Sequence, residues 1–173
     1  ITHSPKDVDF TMVLGANEEN LDVEKHNVIS CSICDATAIA PVTKIINEKF
    51  NIESAYGTTL HPWLNYQNIM DGPASSWSVP GQIYHHYALG RSVIGNMIPK
   101  PTSAIEATCT VLKDFGISEE IFGSFSYRTP TAIVGSADLT FILNKKTSRD
   151  EVISIFQELE KKQNWNIFKN SID

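Results

Sequence analysis

The chain has 173 residues, 42% of them apolar and 20% charged, with a net charge of −6. A domain of this size buries roughly 70% of its unfolded surface, and the composition excludes a disordered or collagen-like chain. Its 14 Lys and Arg are scattered, with neither a basic patch nor a polybasic amphipathic stretch, so nucleic-acid and membrane partners are not expected.

From the N-terminus, Ile1 is followed by His3, Lys6, Asp7 and Asp9, which is not a secretory pattern, and no apolar run is long enough for a transmembrane helix. β-Branched and aromatic residues predict strands over Val8 to Leu14 and His26 to Ser30. A helix is expected from Ala36 to Phe50, with Ile39, Val42, Ile46 and Phe50 on one stripe, although Pro41 inside it removes a backbone hydrogen bond. A strand follows over Ile52 to Leu60.

Between Ser54 and Gly90 the only Asp, Glu, Lys or Arg is Asp71, while Trp63, Tyr66, Trp77, Tyr84, His85, His86 and Tyr87 crowd the same stretch. Pro73 and Pro80 make the part from Gly72 to Gly90 read as an irregular loop, and its aromatics point to an interface or a ligand rather than to core. A further helix is expected from Thr102 to Phe115, with Ile105, Leu112 and Phe115 inward, then strands over Ile121 to Arg128 and Ala132 to Leu143. In the last helix Ser148 and Glu151 form a capping box ahead of Val152, Ile155, Phe156 and Leu159. With no internal repeat, these elements predict an α+β domain: a mixed, largely antiparallel sheet with helices packed on one face.

Four positions carry candidate chemistry. Cys34 stands just before the first predicted helix, where unsatisfied N–H groups favour a thiolate. His61 lies one helix and one returning strand later, a segment length that can bring a base beside the thiol. Arg128, between two predicted strands, could fork onto a phosphate or carboxylate, and Thr102 could cap a helix or offer its hydroxyl to an anion. Taken singly, a buried structural cysteine, a surface ion pair and a plain helix cap are the simpler readings. Cys31-Ser32-Ile33-Cys34 is a CxxC, but no second ligand pair completes a zinc site and no βαβ opening precedes it, so no metal is expected. Three cysteines with no disulfide framework suit a reducing cytoplasm.

In combination these signals resemble the catalytic, C-terminal domain of the glyceraldehyde-3-phosphate dehydrogenase family. The resemblance runs through DVDFTMVLGAN (Asp7 to Asn17), ISCSIC (Ile29 to Cys34), Ala40-Pro41 and YGTTLH (Tyr56 to His61). It continues through MDGP (Met70 to Pro73), IPKPT (Ile98 to Thr102), YRTPTA (Tyr127 to Ala132) and SADLT (Ser136 to Thr140). The resemblance implies Cys34 as a nucleophile forming a thiohemiacetal and then a thioester, and His61 as its base. It implies Arg128 as the arginine for substrate phosphate, with Thr102 and Ser103 in an anion pocket, and inorganic phosphate as acyl acceptor. NAD or NADP would be the cofactor and a homo-oligomer, a tetramer in the family, the assembly.

The chain departs from the family where hydroxyl and amide groups usually flank the site. Ile33, Asp35, Thr37, Ala38 and Leu64 stand there instead, and the loop from Pro73 to Ile98 is longer. Asp35 adds a negative charge that would repel phosphate. A relative with another aldehyde substrate or with water as acceptor, and a non-catalytic assembly module, therefore stay open as alternatives. No two of the nine glycines are separated by one residue, so there is no G-x-G-x-x-G opening. Residues 1–173 are accordingly expected to be a catalytic-domain fragment without the dinucleotide-binding domain and C-terminal segment, a reading that a start without Met also suggests.

Overall fold

The computed structural model describes residues 1, 7–31, 33–64, 67–72, 75–79, 82–85 and 90–171, with backbone alone at 75–79 and 82–85. Its strands are β1 (Phe10–Thr11), β2 (Ile29–Ser30), β3 (Ile52–Pro62), β4 (Ser75–Val79), β5 (Gln82–His85), β6 (Ile98–Lys100), β7 (Phe122–Thr129) and β8 (Ser136–Leu143). The helices are α1 (Ala36–Phe50), α2 (Ala104–Val111) and α3 (Arg149–Lys162). Four strands form the main sheet in the order β6-β7-β3-β8.

Backbone bonds define the sense of each pairing. Ala55 N–H donates to the Ile121 carbonyl and Trp63 N–H to that of Thr131, so β3 and β7 advance together and are parallel. Asn144 N–H donates to the Asn51 carbonyl while Gly135 lies against that of Leu60, so β8 runs antiparallel to β3. β6 is antiparallel to β7, with Ile98 opposite Arg128 and Lys100 opposite Ser126. Two of the three pairings are thus antiparallel, and with the helices they make the mixed-sheet α+β arrangement that the sequence predicts.

The chain divides into two compact units, one of residues 1–55, 104–122 and 141–173, the other of 56–103 and 123–140. In the first, α1 has the predicted bounds. Ile39, Ile46 and Phe50 are buried on its stripe and Val42 is half-buried, and α1 packs on α2. Full burial of such side chains is worth about 1.5–3 kcal/mol each, enough to offset the hydrogen bond that Pro41 removes. Lys44 pairs with Glu19 and lies 4.5 Å over the Phe115 ring. The second predicted helix is shorter than expected: α2 starts at Ala104, not Thr102, and ends at Val111, and a separate 3-10 turn covers Lys113–Phe115 before Gly116 closes it at φ 77°. Ile105 and Leu112 are buried as expected and Phe115 is half-buried.

At the start of the chain the strands are shorter than the sequence predicts, and the pairing covers only Phe10–Thr11 and Ile29–Ser30, in parallel. After β3 the stretch that the sequence predicts to be an irregular loop contains an antiparallel hairpin, β4 on β5, and its base is closed by Gly72 N–H donating to the Gly90 carbonyl at 2.9 Å. Asp71, the lone charge of that stretch, accepts from Ser92 N–H and pairs with Arg91 at 3.5 Å. Among its aromatics Trp63 is exposed, whereas Tyr66, His86 and Tyr87 and the side chains of Trp77, Tyr84 and His85 lie outside the described residues. Among the described residues no helix is long and apolar enough to cross a membrane.

Candidate functional site

Cys34 belongs to the first unit. β2 ends at Ser30, Ile33 is buried as an anchor, and Cys34 is exposed at the turn that opens α1. Its φ of 51° lies in the left-handed region, which a non-glycine residue adopts only at a cost. The turn is held by Thr37 N–H donating to the Cys34 carbonyl at 3.1 Å and by Ile39 N–H donating to the Asp35 carbonyl at 2.9 Å. Asp35 is half-buried at the N-cap and makes no side-chain capping bond. Cys31 is exposed and, like Cys34, is a free thiol. Cys109, on α2, is buried, and its desolvation together with the Glu119 charge pushes its thiol pKa up to about 11.

His61, Arg128, Thr102 and Ser103 belong to the second unit. His61 sits near the end of β3, half-buried, with its Nε2 3.2 Å from Oγ1 of Thr59, which is fully buried one step along the same strand face. Thr129 Oγ1 donates to the His61 carbonyl at 3.0 Å, and Arg128 Nη1 donates to the Pro62 carbonyl at 3.1 Å. These bonds tie the end of β7 to the end of β3 and bring His61 and Arg128 together. Arg128 is only 8% exposed, and no carboxylate pairs with it among the described residues. A buried guanidinium without a counter-charge is costly and is relieved by a bound anion.

Thr102 and Ser103 are placed less decisively. The chain leaves the β6–β7 pairing at Lys100, opposite Ser126, two residues before Thr102. Ser103, exposed, immediately precedes α2, and Thr102 is half-buried one residue earlier. Sequence reasoning overlooked Thr59 and Thr129. Both could have been found from the alternation of β3 and β7, which puts Thr59 on the face of His61 and Thr129 next to Arg128.

Among the described residues no group of three or more His, Cys, Asp and Glu converges as a metal would require. Among the described residues the turn from β2 into α1 offers no cradle for the dinucleotide implied by the resemblance. The turn from β2 into α1 contains no glycine that would let backbone approach a pyrophosphate, and a carboxylate, Asp35, occupies its N-cap.

Residues 33–172 match the family profile described as glyceraldehyde 3-phosphate dehydrogenase, C-terminal domain. Glyceraldehyde-3-phosphate dehydrogenase 1 of Bacillus cereus is 33% identical over 157 residues, which is 91% of this chain and 43% of that protein. The Thermotoga maritima enzyme is also 33% identical, over 91% of this chain and 43% of its own length. Glyceraldehyde-3-phosphate dehydrogenase 2 of Saccharomyces cerevisiae is 34% identical over 81% of this chain and 38% of its own length. The chain thus spans less than half the length of these curated relatives.

Proposed function

The chain belongs to the glyceraldehyde-3-phosphate dehydrogenase family, whose C-terminal domain it matches, and from that premise we propose that it carries the nucleophile, base and anion-binding arginine of a phosphorylated-aldehyde dehydrogenase. The Cys34 thiol adds to the aldehyde carbon while His61 takes its proton, giving a thiohemiacetal. Arg128 binds the substrate phosphate. Its burial without a carboxylate partner among the described residues is the observation that supports this reading best. Oxidation of the adduct to a thioester needs a hydride acceptor, NAD or NADP in this family, and residues outside this stretch would hold it. Thr102 and Ser103 would add hydroxyls to the anion pocket, and the working assembly would be a cytoplasmic homo-oligomer.

The acyl acceptor is inorganic phosphate or water. Asp35, half-buried next to the nucleophile, favours water, because its charge opposes a phosphate dianion at that place.

Thiohemiacetal formation needs no cofactor, so alkylation by iodoacetamide at pH 7.5, read by peptide mass spectrometry, tests the proposal on this chain. Cys31 serves as the exposed reference thiol and Cys109 as the silent one. Cys34 should label at least about tenfold faster than Cys31, and His61→Asn should abolish that advantage. Glyceraldehyde 3-phosphate should protect Cys34 far better than unphosphorylated glyceraldehyde, and Arg128→Lys should erase the difference, because a lysine cannot reproduce the planar fork. Labelling of Cys34 at the rate of Cys31 would overturn the assignment.

A further inference from the structure

We propose that Thr59 is a positioning residue for His61: its buried hydroxyl holds the imidazole in one orientation. The proposal rests on the reading of His61 as the base. Thr59 Oγ1 lies 3.2 Å from His61 Nε2, and Thr59 is completely buried. On a strand, residues two apart point to the same face, so the hydroxyl meets the ring from its own strand without any loop closing over it. A β-branched residue is also stiff about χ1, so the hydroxyl stays where the strand puts it.

The chemistry of a hydroxyl suits a base. It can donate to a bare ring nitrogen and accept from a protonated one, so the same contact serves the neutral and the charged imidazole. A backbone carbonyl or amide in that place would serve only one of the two. The ring can then take up and release a proton without turning away from its partner.

The neighbouring strand supports the same reading. Tyr56 covers Gly123, whose added Cβ would come within 2.9 Å of its ring. Equal steps along the parallel strands from that pair bring Thr59 level with Ser126, and His61 level with Arg128. Ser126 is fully buried, and its Oγ has no hydrogen-bond partner among the described residues. Thr129 completes the support by holding the His61 carbonyl at 3.0 Å.

The test combines imidazole 15N NMR with Cys34 alkylation on the full chain. His61→Asn identifies the His61 signals. In wild type the His61 Nε2 signal should show the displaced shift of a hydrogen-bonded ring nitrogen. Thr59→Val, which keeps the volume and suits a strand, should move that signal away from its wild-type position and slow Cys34 alkylation about three- to tenfold, the value of one hydrogen bond. Thr59→Ser, which restores the hydroxyl, should recover both. A wild-type His61 spectrum in folded Thr59→Val overturns the proposal, as does a Thr59→Ser spectrum no closer to wild type than that of Thr59→Val. If the spectrum responds to Thr59 but His61→Asn leaves Cys34 alkylation unchanged, the hold on the ring stands and the role of His61 as base falls.

Discussion

The two longer helices of the first unit begin in opposite ways. α3 starts at Ser148, whose backbone is extended (φ −123°, ψ 160°) and whose side chain accepts from Glu151 N–H at 3.2 Å. Asp150 and Glu151 lie in its first turn and Lys161 and Lys162 in its last, as the helix dipole favours. α1 starts from Asp35 in helical conformation with no side-chain capping bond, directly after Cys34 at φ 51°. Yet α1 contributes eight buried residues and α3 none. A helix whose apolar stripe is only half-buried leans more on its own ends, because tertiary packing contributes less. A helix anchored in the core can tolerate a poor start, and that tolerance lets a strained, exposed thiol stand there. Local strain of this kind persists only where its surroundings over-determine it, and Ile33, Ile39 and Thr37 supply that constraint here.

The contrast is broken most severely by removing the strain. Cys34→Gly permits the left-handed backbone freely and should stabilise the chain by about 1–2 kcal/mol relative to Cys34→Ala, which keeps the strain without the thiol. Urea unfolding followed by circular dichroism measures the difference. Equal midpoints for the two variants would mean that the turn stores no strain. A smaller effect is expected at the other helix. Ser148→Ala removes the one side-chain cap of α3 and should cost about 1 kcal/mol in the same assay. Glu151 does not complete the capping box, since its carboxylate accepts from Thr147 Oγ1 at 2.8 Å. Glu151→Gln, which retains an acceptor, should therefore change little.

The same contrast explains what was legible in the sequence. The bounds of α1 could be read because Ile39, Ile46 and Phe50 repeat at helical spacing and bury one face, a signal that Pro41 could not outweigh. Ser148 with Glu151 marked α3 by local chemistry alone. β6 was missed because Pro99 and Pro101 argue against a strand, yet β6 is at the edge of its sheet, where a missing N–H is tolerated. The hairpin of β4 and β5 was hidden by Pro73, Pro80 and the serines between them, none of which carries a period-two pattern. At the site, the types and order of Cys34, His61 and Arg128 were visible, because nucleophile, base and anion-binding side chain are distinctive. Their supports were less visible: Thr59 and Thr129 look like ordinary strand residues unless the alternation of β3 and β7 is followed from His61 and Arg128. The left-handed φ of Cys34 leaves no mark in composition or spacing.

The smallest predicted effect sharpens the comparison furthest. Asp35 occupies at α1 the position that Ser148 occupies at α3, and an N-cap aspartate replaced by alanine ordinarily costs about 1 kcal/mol. Here the backbone at Asp35 is helical (φ −61°, ψ −25°), a conformation from which its side chain makes no capping bond. Asp35→Ala therefore removes no capping bond, and its effect on stability should be smaller than that of Ser148→Ala, even though α1 is the better-buried helix. The same substitution removes the half-buried charge beside the nucleophile, so it should raise the rate at which iodoacetate, an anionic alkylator, labels Cys34 relative to neutral iodoacetamide. A loss of stability as large as that of Ser148→Ala would show that Asp35 is a structural cap. An unchanged ratio of the two labelling rates would show that its charge does not reach the thiol, and the preference for water over phosphate as acceptor would fall with it.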